Sequence, residues 1–382
     1  MAARLGLQQR VLAGYRLPFF DALAAACPRG LGIFAGMPRP DEAVDSQGAL
    51  QVAKFFPAHN RHYLRGKYYV CWQSGLMHWL ETWQPEVLIV EANPRYLHTP
   101  AAQRWMHTRR RPVIGWGLGA ASHPGLLNTL TGRLRRDFLA GFDALITYSS
   151  QGAGEYARSG FPAERIIIAP NAVARRPQFP PPERLTHYQD GKAVVLFVGR
   201  LQTRKRVDFL LRACAALESS QPLQLWIVGD GPARLELETL AGKIYPQARF
   251  FGARFGTELE PLFSAADVFV MPGTGGLAVQ QAMSFALPVI VAEADGTQAD
   301  LVRAENGWSL PPGNLDALIS TLKQSLENVT RLRQMGLASY RIVAEEINLE
   351  NMLKAFEQAV QLVWNGNTFA DADTDTDADT EQ

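Results

Sequence analysis

The sequence predicts an α/β protein built from two doubly wound domains. Three features point there: near-continuous apolar runs of strand length, stretches of helical period between them, and a proline-rich break near the middle. Its 382 residues suit two ordinary domains, each large enough for its own core, and 47% hydrophobic with 20% charged residues are globular values.

In the front half the strand-like runs are LGIFAG (31–36), VLIVEAN (87–93), RPVIGWGLG (111–119), ALITYSS (144–150) and RIIIAPN (165–171). The back half has AVVLFVGR (193–200), LQLWIVGDG (223–231), RFFGA (249–253), DVFVMPG (267–273) and PVIVA (288–292). RVDFLLRACAAL (206–217) and ARLELETLAGKI (233–244) carry the helical period. Apolar strands each followed by a helix indicate parallel sheets covered on both faces. These signals divide the chain into a domain over 1–173, a linker over 174–192 rich in proline, and a second domain over 193–346. A final amphipathic helix is expected over 347–364, crossing back to the first domain, before a low-complexity acidic tail over 365–382 that composition marks as disordered.

The net charge of +1 hides an uneven layout. Residues 1–175 hold 20 Lys+Arg against 11 Asp+Glu, whereas 176–370 hold 18 against 20 and the tail holds six acids with no base. The front half therefore favours anionic partners, phosphates or an acidic membrane surface. Nucleic acid is not expected, because no binding motif or interleaved aromatic pattern is present. No apolar run reaches the ~20 residues of a membrane span, and the start lacks a secretory segment. Three widely spaced cysteines in apolar contexts fit buried thiols in a reducing cytosol. Asp371, Asp373 and Asp375 match the first ligand positions of a calcium loop, but Thr376 and Gln382 stand where its glycine and glutamate belong. His59 and His62 have no further ligand nearby in sequence, so no metal site is expected.

Open α/β sheets bind ligands at the carboxyl ends of their strands, and two such domains place the natural site in the cleft between them. Gly199-Arg200-Leu201, followed by Thr203-Arg204-Lys205-Arg206, ends one strand of the back domain. Gly229-Asp230-Gly231-Pro232 ends the next, and PGTGGLAVQQAM (272–283) runs from a strand through a glycine loop into a helix without a single charge. Cations beside a glycine-loop helix start suit a phosphate; a solvated helix start and a buried turn are the plainer alternatives.

In order, these motifs resemble a family. Gly199-Arg200-Leu201 with Lys205, VGDGP (228–232), FFGA…ELEPLFSAADVFVMP (250–272), QAM…LPVI (281–290) and GTQADLV…NGWSLPPGN look like a family 4 glycosyltransferase. FDALITYSS…YARSGFPAERIIIAPNAV (142–173) is similar, more loosely, to the end of that family's acceptor domain. The resemblance implies the GT-B fold, two Rossmann-like domains facing a cleft, and retaining transfer of a sugar from a nucleotide diphosphate to an acceptor hydroxyl. It implies no cofactor and no metal beyond the nucleotide-sugar substrate.

Residue by residue, it places Arg200 and Lys205 on the donor diphosphate, where charge grows as the glycosidic bond breaks. Gly199, Gly231, Gly273, Thr274, Gly275, Gly276, Leu277 and Gln281 fall on donor-binding positions. Apart from the resemblance, Gly14 in the first loop permits close approach to the donor phosphate from the front domain, a plain strand-to-helix turn being its equal alternative. The family usually has two glutamates across the opening of this helix, and here Gly273 and Gln281 stand in their places. A glutamine carbonyl still accepts a ribose hydroxyl, whereas glycine offers a sugar nothing. The family often presents a histidine near the reacting carbon; His123 is the candidate, a loop histidine being its alternative, with Trp116 in the usual neighbourhood. Glu91, Asn93 and Arg95 are candidates for acceptor hydroxyls.

The expected setting is polysaccharide or surface-glycan assembly in the cytoplasm, with a glycan or lipid-linked acceptor. Arg109-Arg110-Arg111 and the cationic, apolar stretch 126–139 mark a peripheral face toward the inner membrane surface, or else an ordinary solvated helix. The missing glutamates keep open a non-catalytic nucleotide-sugar binder; a hydrolase or epimerase on the same fold is the other reading, and the neutral loop counts against the epimerase.

Overall fold

A computed structural model describes residues 1–372 apart from 40, 41, 43–45, 47, 65, 121–127, 275, 276 and 294–297. The chain forms two compact units, one made of Met1–Pro170 with the chain from Asn351 onward, the other of Asn171–Glu350.

In the first unit the strands are β1 (Leu5–Val11), β2 (Leu31–Gly36), β3 (Lys54–Pro57), β4 (His59–Tyr63), β5 (Val70–Ser74), β6 (Val87–Glu91), β7 (Val113–Gly117), β8 (Ala144–Thr147) and β9 (Ile166–Ile168). Seven make one sheet in the order β3-β2-β1-β6-β7-β8-β9, all pairs parallel, while β4 and β5 form a separate antiparallel ribbon. The interior strand β1 buries two glutamines. Gln8 Nε2 donates to Gln73 Oε1 at 2.6 Å, and Gln73 Nε2 donates to the Gln9 carbonyl at 2.9 Å. A ribbon residue thereby satisfies polar groups that a core strand leaves open.

The C-terminal helix Leu349–Ala372 belongs to this first unit. Its Phe356 packs edge-on against Phe19 at 4.8 Å and Trp116 at 4.9 Å. The helix runs past Trp364 into the segment expected as tail, and 373–382, with the acidic repeat, lie outside the described residues.

The second unit holds β10 (Ala193–Val198), β11 (Leu223–Val228), β12 (Arg249–Phe250), β13 (Val268–Met271), β14 (Val289–Ala292) and β15 (Gly307–Leu310). They form one parallel sheet in the order β12-β11-β10-β13-β14-β15. Strands β10 and β13 are buried throughout, which is what their uninterrupted apolar sequences require.

The proline-rich segment 174–192 is bound to this unit. Arg184 donates to the carbonyls of Phe263 at 3.0 Å, Phe285 at 2.8 Å, Ser264 at 3.2 Å and Ala266. Tyr188 donates its hydroxyl to the Leu326 carbonyl at 2.8 Å. The three cysteines, Cys27, Cys71 and Cys214, are buried and unbridged.

Candidate functional site

Three loops leave the carboxyl ends of β10, β11 and β13, adjacent strands of the second unit, and they are stitched to one another. The Leu201 amide donates to the Asp230 carbonyl at 2.9 Å, and Thr274 donates to the Arg204 carbonyl at 3.0 Å. Such seams need small residues. A Cβ on Gly231 would lie 2.3 Å from the Leu201 carbonyl oxygen, and one on Gly273 only 2.2 Å from that of Arg204. Gly273 is therefore glycine because the backbone of Arg204 and Lys205 fills the space where a side chain would start. No carboxylate at this position fits the loop as folded. Gly273→Ala should cost about 1–3 kcal/mol through overpacking. Gln281→Glu, at a half-buried position, should leave the urea midpoint unchanged.

Of the cations, Lys205 is the most constrained. It is 8% exposed, and among the described residues its ammonium has no hydrogen-bond or ion-pair partner. Burial, reinforced by neighbouring Arg204, pushes its pKa down to about 8. Arg204 donates from Nε to Gln202 Oε1 at 2.9 Å and from Nη1 to Thr274 Oγ1 at 3.4 Å, so it is oriented without being neutralised. Arg200 is exposed and makes no ion pair among the described residues. Arg206 is different: it pairs with Asp208 at 3.2 Å and lies 3.5 Å over the Phe209 ring. Asp230 is held by Arg234 at 2.8 Å and by the Gly231 amide at 2.7 Å, which lower its pKa, the amide most. The loops thus present three cations with no carboxylate of their own neutralising them, one of them desolvated. An anion is the ligand that resolves this.

Gly199 precedes Arg200 at the end of β10, and Leu277 opens the helix Leu277–Ser284 that carries Gln281. Both the Thr274 amide and its hydroxyl oxygen are engaged with Arg204, which leaves the hydroxyl proton to donate to a ligand. Gly275, Gly276 and His123 lie outside the described residues. The neighbouring glutamine has a different task from Gln281. Gln280 is 1% exposed; its Oε1 accepts from the amides of Val173 at 2.7 Å and Ala174 at 3.1 Å, and its Nε2 donates to the Ile347 carbonyl at 2.5 Å. A polar residue directly after Leu277-Ala278-Val279 was the only signal of that role.

The first unit has its own strand-end group, formed by β1, β6, β7 and β8. Gly14 opens a single tight turn, Gly14–Arg16, between β1 and the helix Leu17–Ala25. Arg16 is buried, lies 4.6 Å over the Trp116 ring and donates to the Tyr148 hydroxyl at 3.1 Å. Trp116 is thus a core and stacking residue. Glu91, at the end of β6, accepts from the Arg10 amide at 2.5 Å and makes no ion pair among the described residues. Burial outweighs the nearby Arg10 and Arg16 charges and lifts its carboxyl to about 7. The native state thus binds this proton more tightly than the unfolded chain. Stability from this group is full below the ordinary carboxylate range and is lost as pH rises through 7. Glu91→Gln should flatten the stability profile over that window, read by urea unfolding between pH 4 and 8.

Arg109 stacks 4.0 Å over Trp105, and Arg111 donates to Gln84 Oε1 at 2.8 Å, so these two arginines brace the end of helix Thr99–His107. Among the described residues there is no cluster of three His, Cys, Asp or Glu side chains, and no helix long and apolar enough to cross a membrane.

Comparison with known proteins bears on the second unit first. Residues 192–328 match the family of glycosyl transferases group 1, a span that contains all three stitched loops. This segment is similar to a group 1 glycosyltransferase domain. A GDP-mannose-dependent alpha-mannosyltransferase of Mycobacterium tuberculosis is 34% identical to the chain over 194 residues, 50% of this chain and 47% of the relative. The chain spans about half the length of the curated relatives it matches, or less. Among solved structures, Anabaena HepE in complex with UDP aligns over 94% of this chain and 100% of its own, with TM-score 0.68 at 16% identity. The lipopolysaccharide outer core galactosyltransferase WaaB, apo form, aligns over 94% and 99% with TM-score 0.66 at 16% identity. The fold of the chain is GT-B.

Proposed function

We propose that the protein transfers a sugar from a nucleotide diphosphate to an acceptor hydroxyl with retention of configuration. The observation that carries this reading is Lys205, a buried ammonium in the loop after β10, beside Arg204 and without a partner among the described residues. In the reaction the bond from the anomeric carbon to the phosphate oxygen breaks, and the electron pair leaves with the diphosphate. Arg200 and Lys205 meet that growing charge, so they bind the transition state more tightly than the ground state. The acceptor oxygen forms the new bond to the anomeric carbon and gives up its proton. Gln281 offers a neutral carbonyl to the ribose, and Gly199, Gly231 and Gly273 set the loop seams.

Charge neutralisation falls on these side chains, with no metal required. The cation excess of residues 1–175 and the names of the relatives support an anionic or lipid-linked acceptor in surface-glycan assembly, met at the cytoplasmic face of a membrane.

The test is nucleotide release from UDP-, GDP-, ADP- and dTDP-sugars, with and without a glycan acceptor pool and with and without chelator. Acceptor-dependent release from one donor, indifferent to chelator, is expected. Release without acceptor would make the protein a hydrolase; donor binding without any release would make it a non-catalytic binder, the reading that the missing carboxylates at 273 and 281 motivate. Absence of binding to every donor by calorimetry would overturn the function.

A further inference from the structure

A second cluster of cations lies at the amino ends of strands β13 and β14 of the same sheet. There, a cavity of about 390 Å³ is lined by Arg184, Arg333, Glu183, Ala286, Leu337 and two prolines. Asp267 and Ala286 lead into β13 and β14, whereas the donor loops leave the other ends of these parallel strands. The cavity is thus separated from Lys205 by the length of the sheet.

Both guanidinium groups are bound yet incomplete. Arg184 spends its two Nη groups on four carbonyls, at the ends of helices Glu260–Ala265 and Leu277–Ser284. Arg333 donates from Nε to the Leu185 carbonyl at 2.9 Å and from Nη2 to Asp267 Oδ1 at 2.6 Å. Arg184 Nε and Arg333 Nη1 remain, both buried and neither with an acceptor on the protein. Asp267 is the one carboxylate bonded to the pair among the described residues, and its second oxygen accepts from the Val194 amide at 2.7 Å. Two full positive charges therefore face one negative charge. Glu183 is exposed at the rim and forms no ion pair among the described residues.

Buried N–H donors without acceptors are costly, and guanidinium groups match the oxygens of a phosphate. The space exceeds a phosphate ion, and Ala286, Leu337 and the prolines give the remainder an apolar wall suited to a short carbon skeleton. We propose that this cavity binds a small phosphomonoester, the phosphoryl oxygens accepting from Arg184 Nε and Arg333 Nη1. The site is independent of the donor loops, and its occupant joins segment 181–185, the turn before β14 and the helix Val329–Arg341.

Calorimetry on the full chain with inorganic phosphate, glycerol 3-phosphate and glucose 6-phosphate, at constant ionic strength, tests it. Saturable binding is expected, tighter for an organic phosphate than for phosphate itself. The arginines hold the fold, so the diagnostic variants sit at the rim. Leu337→Glu places a negative charge there and should weaken binding by about tenfold, Leu337→Gln should match the wild type, and Glu183→Gln should tighten binding. Lys205→Met should leave the affinity unchanged. Equal affinities for Leu337→Glu and Leu337→Gln, loss of binding in Lys205→Met, or no saturable binding would each overturn the site. A phosphate-soaked crystal showing only water between the two arginines would do the same.

Discussion

Lys205→Met should lower kcat by about 10²–10³-fold while making the protein more stable, an opposition that few substitutions produce. The ammonium is desolvated and faces no carboxylate among the described residues, so its charged form is penalised in the free protein. A pKa of about 8 against an ordinary 10.5 corresponds to a cost of about 3 kcal/mol near neutrality. The sign follows from the depressed value. The unfolded chain binds this proton more tightly, so the cost is full below pH 8, shrinks as pH rises, and vanishes above the ordinary lysine range. Wild-type stability should accordingly climb between pH 8 and 10, and that climb should be absent in Lys205→Met. A nucleotide diphosphate supplies the missing counter-charge and restores the proton, so its binding should weaken as pH rises above 8 and consume protons in that range. Urea midpoints and calorimetry in two buffers of different ionisation enthalpy read these effects. A variant that loses stability along with activity would show that Lys205 is a structural residue.

Gln280→Leu should produce the largest loss of stability. The side chain is nearly isosteric, so packing is kept, but the amides of Val173 and Ala174 and the carbonyl of Ile347 all lose their partner. Three groups left without partners correspond to about 3–5 kcal/mol, since each lost bond exposes an unmet desolvation cost. For a unit of this size the unfolding temperature should fall by about 6–12 °C. Gln281→Leu, one position on and half-buried, is the control and should shift it little. Both segments held by Gln280 lie next to the junctions at 170/171 and 350/351. Limited proteolysis of Gln280→Leu should therefore cut first at these segments; an unchanged digestion pattern would separate the lost bonds from the junctions.

Much of the fold was legible because its strands are uninterrupted. Strands β6, β7, β8, β10, β11, β13 and β14 all fall inside the apolar runs, trimmed where a loop begins. Strand β1 was not visible, since Gln8, Gln9 and Arg10 break its apolar run, and the residue that satisfies those glutamines is Gln73, far along the chain. No local rule anticipates a partner 65 residues away. The ribbon β4–β5 escaped for a similar reason: its strands carry His59, Arg61, His62 and Gln73, which read as loop. At the candidate site, motif order located Arg200, Lys205 and the glycines. It did not show why Gly273 is glycine, because the obstacle is the backbone of a different loop. The segment 174–192 read as a free linker from its prolines, while Arg184, which binds it down, is a single polar residue whose four acceptors are dispersed in sequence.

The helix that carries Phe356 has a consequence for biosynthesis. The unit of Asn171–Glu350 is continuous in sequence, whereas the other is interrupted by it and completed only by residues after 350. Phe19 and Trp116 leave the ribosome early, yet the ring that closes over both is among the last parts of the chain to be made. The donor unit is in effect an insertion within the other unit, and it can finish folding first although it is translated second. During that interval the apolar surface around Phe19 stays open to chaperones. A stop codon ahead of Phe356 would leave that surface uncovered, so truncation there should promote aggregation even though Arg200 and Lys205 are intact.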